Sequence, residues 1–210
     1  MENVTYLQLA IAICVGVSLS AACGFRVFVP LLLISVAVHF FGVSVSDNFQ
    51  WVGSWTALLI LLTATVCEIL AYYIPWVDNI LDVVGTPLAC AAGMVVMSGM
   101  LPEMESGLRW SLSAILGGGV AGVTQAATVA VRGASTATTG GVGNNVVATT
   151  ENVCSTTFSI LALVIPILAF IVVVAMLVVG FMFIRKFLLR KGGYVLSDTG
   201  KPMKLVDKAS

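Results

Sequence analysis

The chain has 210 residues, of which 59% are hydrophobic and 10% charged, with ten basic residues balancing ten acidic ones, against roughly 25% charged in an average soluble domain. A mean hydropathy of +1.07 excludes a water-soluble domain of this length. The zero net charge, and a basic C-terminal tail without interleaved aromatics, argue against a nucleic-acid partner.

The run from Leu7 to Val45 is almost wholly apolar and would make a helix of about 58 Å, nearly twice a bilayer's hydrocarbon thickness. It must break, and Gly24-Phe-Arg-Val-Phe-Val-Pro30 is the natural place, predicting helices over 6–24 and 27–44 with Arg26 at their junction. Within the first, Ala12, Gly16, Ser20 and Gly24 recur every four residues, a smooth stripe for close helix packing. The polar stretch Gly42 to Gly53 reads as an external connection, with Trp51 and Trp55 at headgroup level.

A third helix is predicted over 54–74. Glu68 lies inside it, where a charge costs about 2.5–3.5 kcal/mol on insertion scales. Tyr72, Tyr73 and Trp76 read as the interfacial belt, and Pro75 as the stop or bend. Asp78 and Asp82 share a helical face and repel unless a cation, a proton or an arginine intervenes. Pro87 to Leu101 is about 22 Å as a helix, short for a crossing. It is a re-entrant segment, or a full span if the helix starts at Ile80.

After a loop from Pro102 to Arg109, a helix is predicted over 110–132, with the stripe Ala114, Gly118, Gly122, Ala126, Ala130 and then Arg132. Arg132 follows its stripe as Arg26 follows Gly24, and Ile69-Leu-Ala-x-x-Ile-Pro75 echoes Ile160-Leu-Ala-x-x-Ile-Pro166, which raises the expectation of an internal repeat. The Gly- and Thr-rich stretch Gly133 to Thr150 reads as a surface loop or as backbone lining a hydrated cavity, with Asn145 a candidate donor. A last apolar helix, Cys154 to Phe187, is interrupted at Pro166. Of the ten basic residues, seven (Arg185, Lys186, Arg190, Lys191, Lys201, Lys204, Lys208) lie in the last 26 positions. The positive-inside rule then places the C-terminus in the cytoplasm. The organisation expected is a helical membrane domain over 1–190, all-α and polytopic, with five or six spans that include broken or re-entrant helices, and a basic tail over 191–210.

No soluble-enzyme constellation is present, and the reading is of a non-enzyme without a cofactor. The only histidine, His39, falls in an apolar helix, which excludes a His-rich metal site and leaves any other metal open. The five cysteines show no paired spacing and read as small apolar filler. Gly117-Gly-Gly-Val-Ala-Gly122 lacks the Lys of a phosphate loop and reads as a packing surface.

The candidate site is therefore the intramembrane set Arg26, Glu68, Arg132 and Glu151, flanked by Asp78, Asp82 and Asn145. It is read as a path for a small ion or solute, with Glu68 the foremost proton or cation acceptor. The alternative is a structural or accessory scaffold whose buried charges only pair with each other. The expected partners are bilayer lipid and further copies of the chain, meeting through the small-residue stripes.

Gly24-Phe-Arg-Val-Phe-Val-Pro30, Glu68 with Ile74-Pro-Trp-Val-Asp78, and Thr86-Pro87 leading to Gly93 together resemble an uncharacterised bacterial family of integral membrane proteins, catalogued as a domain of unknown function. The likeness covers about residues 8–186 and implies membrane residence and little else; the location expected is a bacterial inner membrane. Members of that family often carry an Asp-Lys pair before the Ile-Pro. Here Tyr72 and Tyr73 stand there, so no activity tied to that pair is carried over.

Overall fold

The computed structural model describes residues 6–191, 194–196 and 202–204, without the side chains of 75, 76, 78 and 79 and most of those beyond 180. Two compact units divide at Ile171/Val172. In the second, helix α8 (Pro166–Lys191) completes its course, and strands β1 (Tyr194–Leu196) and β2 (Pro202–Lys204) pair antiparallel. The basic tail expected beyond 190 lies largely outside the described residues.

The first unit is helical. In order it contains α1 (Tyr6–Phe25), α2 (Phe28–Phe41), a 3-10 segment (Asp47–Gly53), α3 (Trp55–Ala71), α4 (Pro75–Met100), α5 (Ser106–Leu112), a π turn (Ser113–Gly118), α6 (Gly119–Thr139) and α7 (Asn144–Val164). Among the described residues, four helical stretches are long and apolar enough to cross a membrane, or five if the bent pair Asp47–Gly53 and Trp55–Ala71 counts as one span. These helices point to a multi-pass membrane protein. Their polarity is inverted relative to a soluble bundle: on α3, Leu59, Ile60 and Leu70 are exposed, whereas Thr65 and Glu68 are buried.

Small residues decide how the helices meet. Gly16 faces Met97 across α1 and α4, and Ser20 Oγ donates to Gly93 O at 3.0 Å. A methyl group on Gly93 would come within 2.6 Å of Gly117 O and of Ala121 Cβ, so α4 and the start of α6 touch backbone to backbone. Gly24 is packed against Ala121 and Thr124. The α1 stripe is thus spent inside the chain, and so is Gly118, against Cys90 O. An oligomer built on these residues would first have to unpack the protomer. The second stripe does not hold together as a face: Ala114, Ala126 and Ala130 are exposed. A strict four-residue step drifts about 40° around a helix of 3.6 residues per turn, and the buried line runs instead through Gly117, Ala121, Thr124, Thr128 and Arg132 at mixed three- and four-residue spacing.

The break at Arg26 reverses the chain. α2 descends beside α1 and ends at Gly42, whose φ of 64° is the left-handed cap conformation glycine tolerates. The following 3-10 segment packs on the C-terminal end of α4, with Ser46 N donating to Gly99 O at 2.9 Å and Phe49 lying against Gly99. α3 then climbs back along α2. Meanwhile α6 runs on from Thr124, beside Gly24, to Thr139, about 22 Å further. The α1–α2 turn is therefore a hairpin tip sunk well below the end of the bundle formed by α6 and α7.

Of the two readings left open for the stretch over 80–101, the full span fits: it is part of a continuous 26-residue helix with Pro87 inside it, of a length that suits a crossing. Two expectations need correction. Gly133 to Thr150 is mostly helix, turning only at Gly140 to Gly143, where Gly140 (φ 65°) and Gly141 (φ 93°) take positive φ. Tyr72 is no belt residue: it turns inward and is buried.

Candidate functional site

Five ionisable side chains from five elements converge at the sunken tip: Arg26 from the α1–α2 link, Glu68 from α3, Asp82 from α4, Arg132 from α6 and Glu151 from α7. Helical side chains lean toward their own N-terminus, which makes convergence natural here. α6 rises past the tip, so Arg132 leans down; α4 and α7 start beyond the tip and run down, so Asp82 and Glu151 lean up to meet Arg132. Arg26 Cα falls at the break, where the Gly24 packing leaves no room for a larger neighbour.

Glu151 is the hub. Arg132 grips it with both ends of its fork, Nε to Oε1 at 3.0 Å and Nη2 to Oε2, while Arg26 Nη2 reaches the same Oε2 at 3.3 Å. Arg26 also donates from Nε to Asn152 Oδ1 at 2.5 Å and from Nη2 to Ala148 O at 3.1 Å. Arg132 Nη1 is 3.3 Å from Asp82 Oδ1. The Tyr72 ring lies under both guanidinium groups, 3.8 Å from Arg26 Cζ and 4.0 Å from Arg132 Cζ, a double cation–π contact at a desolvated site.

Glu68 stands slightly apart and has a different task. Its Oε1 accepts from Val27 N at 2.7 Å and its Oε2 from Phe28 N at 3.0 Å. These are amides at the start of α2, which no residue of α2 itself can satisfy, and α2 has no side-chain cap of its own. A carboxylate at a helix N-terminus also meets the positive end of the helix dipole. Glu68 is thus the cap of a helix that starts inside the protein. It supports the arginine pair from a distance and does not form an ion pair with either of them among the described contacts.

The sequence-derived set is brought together in part. Arg26, Arg132, Glu151 and Asp82 meet directly, and Glu68 flanks them. The arginine that Asp82 needed is Arg132; the Asp78 side chain lies outside the described residues. Asn145 does not join the set: it is exposed and lines a shallow groove with Val146, Thr149, Thr150, Val153 and Cys154 on the outer face of α7. Its neighbour Asn144 is the buried one, donating to Thr136 Oγ1 at 3.0 Å across the α6–α7 turn.

Sequence reasoning missed Tyr72, Asn152 and the amides of Val27 and Phe28. Tyr72 stands one helical turn after Glu68 and Asn152 directly follows Glu151, so proximity to an intramembrane acid was the available signal. Arg109 was also missed: it is buried in α5 and paired with the exposed Glu103 at 3.3 Å, away from the cluster.

No group of three or more His, Cys, Asp or Glu among the described residues has the geometry to hold a metal ion. His39 donates through Nδ1 to Gly53 O, 2.7 Å away, and packs edge-on against Trp55, closing the far end of the α2–α3 pair.

Residues 13–186 match the family described as a domain of unknown function (DUF4126). No curated protein and no solved structure matches the chain.

Proposed function

The chain belongs to this family of unknown function, and on that premise we propose that it forms a permeation or transport path for a small ion or solute, with the buried charged layer at its centre. The observation that carries the reading is the placement of five ionisable groups at the tip of a hairpin sunk inside an apolar bundle. Intramembrane charges at helix breaks are the usual makings of solute sites in transporters, where half-helix ends lie near the membrane's middle. Residence in a bacterial inner membrane, with the basic C-terminal end in the cytoplasm, is part of the same proposal and rests on the positive-inside rule. So is assembly into a homo-oligomer, which must use surfaces other than the α1 stripe.

A second reading is favoured by one observation: both oxygens of Glu68 and both of Glu151 already accept hydrogen bonds from the chain. On that reading the layer is a structural clamp and the protein a scaffold or accessory subunit. Flux measurements on liposomes holding wild type and Glu151→Gln separate the two. Absence of proton, sodium, potassium or chloride flux under every imposed gradient removes the transport reading, and a loss of folding without any wild-type flux supports the clamp.

A further inference from the structure

The Tyr72 ring, on which both arginines stack, carries a hydroxyl that the charged layer does not use. Tyr72 is 5% exposed, and its hydroxyl bonds no group among the described residues. Buried tyrosine hydroxyls usually find a partner. Gln125 on α6 is in the same position: it is 3% exposed, and neither end of its carboxamide is bonded among the described residues. A third unpaired group adjoins the same ring. Arg26 spends Nε and Nη2 on α7 and leaves Nη1 buried without an acceptor among the described residues, on a guanidinium whose carbon is 3.8 Å from the ring centre. Each such group, left dry, costs the desolvation of a polar atom.

Gly85 on α4 brings the first two together. The point that a Cβ on Gly85 would occupy lies 3.0 Å from Gln125 Nε2 and 3.4 Å from the Tyr72 hydroxyl oxygen. The amide and the phenol are therefore at most about two hydrogen-bond lengths apart, yet they do not bond each other. Gly85 is buried, so the space its missing side chain leaves lies inside the protein, beside two unpaired polar groups. An alanine methyl there would crowd Nε2.

The chemistry of this space selects its occupant. A metal cation would meet amide hydrogens where it needs several oxygens at once. An anion would join a layer in which three carboxylates already outnumber two guanidinium groups. A water molecule both donates and accepts, so it suits the hydroxyl and either end of the carboxamide. A polar site with two or more partners is also what an internal water requires.

We infer that Gly85, Gln125 and Tyr72 form a binding site for one water molecule, which bridges the carboxamide to the phenol. The bridge ties α6 to the α3–α4 link directly beside the ring that Arg26 and Arg132 share. It holds whether or not the layer passes an ion, and so stands apart from the permeation reading.

The test is water-edited solid-state NMR of the full chain in lipid bilayers, with isotope-labelled glutamine amides and tyrosine ζ carbons. The chain has three glutamines, Gln8, Gln50 and Gln125. Gln8→Asn and Gln50→Asn, both at exposed positions, assign the Gln125 signal by elimination, so its assignment needs no change at the site. In the wild-type site, magnetisation from water should reach the Gln125 amide and the Tyr72 ζ carbon before it spreads through the protein. Gly85→Ala should cut that transfer at least fivefold and move the Tyr72 resonance, which reports the phenol's hydrogen bond. A Gln125 amide that water does not reach, or transfer that Gly85→Ala leaves unchanged, overturns the inference. A double-mutant cycle then asks whether one water serves both groups. Gln125→Met and Tyr72→Phe each remove one end of the bridge, so the double variant should unfold with the less stable of the two single ones. Losses that add in full overturn the bridge. A Gly85→Ala chain that fails to fold leaves the unmutated site and the cycle to decide.

Discussion

Glu68→Gln isolates the capping role from the rest of the layer. The side chain keeps its size and one acceptor oxygen, so the bond from either Val27 N at 2.7 Å or Phe28 N at 3.0 Å survives. The other amide then faces an NH2 group, donor against donor. A hydrogen bond to a charged group contributes about 1.5–3 kcal/mol, and the lost charge at the α2 start removes about 0.3–1 kcal/mol of helix-dipole interaction. The sum is a destabilisation of about 2–4 kcal/mol, a shift of about 30- to 1000-fold in the folded-to-unfolded ratio. Denaturant titration in mixed micelles of folding detergent and sodium dodecyl sulfate, followed by tryptophan fluorescence, reads it directly. Glu68→Ala should cost at least as much, since both amides then lose their acceptor. If Glu68→Gln unfolds within about 0.5 kcal/mol of wild type, well below the hydrogen-bond term alone, Glu68 is not the cap of α2 in the membrane. Its place in an ion path then regains priority.

Gly93→Ala should cost about 1–3 kcal/mol by overpacking against Gly117 and Ala121. Gly119→Ala, with nothing within 4 Å of the new methyl group, should be neutral or stabilising by up to about 1 kcal/mol; the same titration checks both. Arg26→Lys keeps the charge but cannot reach Asn152, Ala148 and Glu151 together, and should lower stability by about 2 kcal/mol, whereas an unchanged transition would show that the forked geometry does not matter. Tyr72→Phe should keep most of the double cation–π contact and Tyr72→Leu should lose about 1–2 kcal/mol, compared as transition midpoints. In a cysteine-free background, single cysteines at Val142 and at Asn48 should label from opposite sides of the membrane. Labelling from the same side would refute α4 as a crossing.

The apolar periodicity, the break between Gly24 and Pro30 and the intramembrane acids and arginines were legible because each is expensive in lipid and so stands out. What each charge does was not legible, since that depends on partners far along the chain: Arg26 meets Ala148, and Glu68 meets Val27. The stretch from Gly133 to Thr150 was read as loop or cavity lining from its Gly and Thr content. In an apolar medium backbone groups must bond within their own segment, and here even the hydroxyls comply: Thr138 and Thr139 donate to Ala134 O and Ser135 O four residues back. The second small-residue stripe was misplaced because a strict four-residue repeat winds off one face over its five positions, whereas on α1 Gly16, Ser20 and Gly24, two steps apart in all, stay on the packed side.

The hydrogen-bond and ion-pair partners of Arg26 lie more than 120 positions downstream, and this orders events during synthesis. When α1 and α2 leave the ribosome, the guanidinium has no acid to meet, and an arginine at mid-membrane depth costs about 2.5–3.5 kcal/mol on insertion scales. Glu68 emerges early enough to fasten α2, but only α7 brings the acid for Arg26. A nascent chain cut before residue 144 should therefore hold its first hairpin loosely, near the lipid headgroups, and seat it only when α7 arrives.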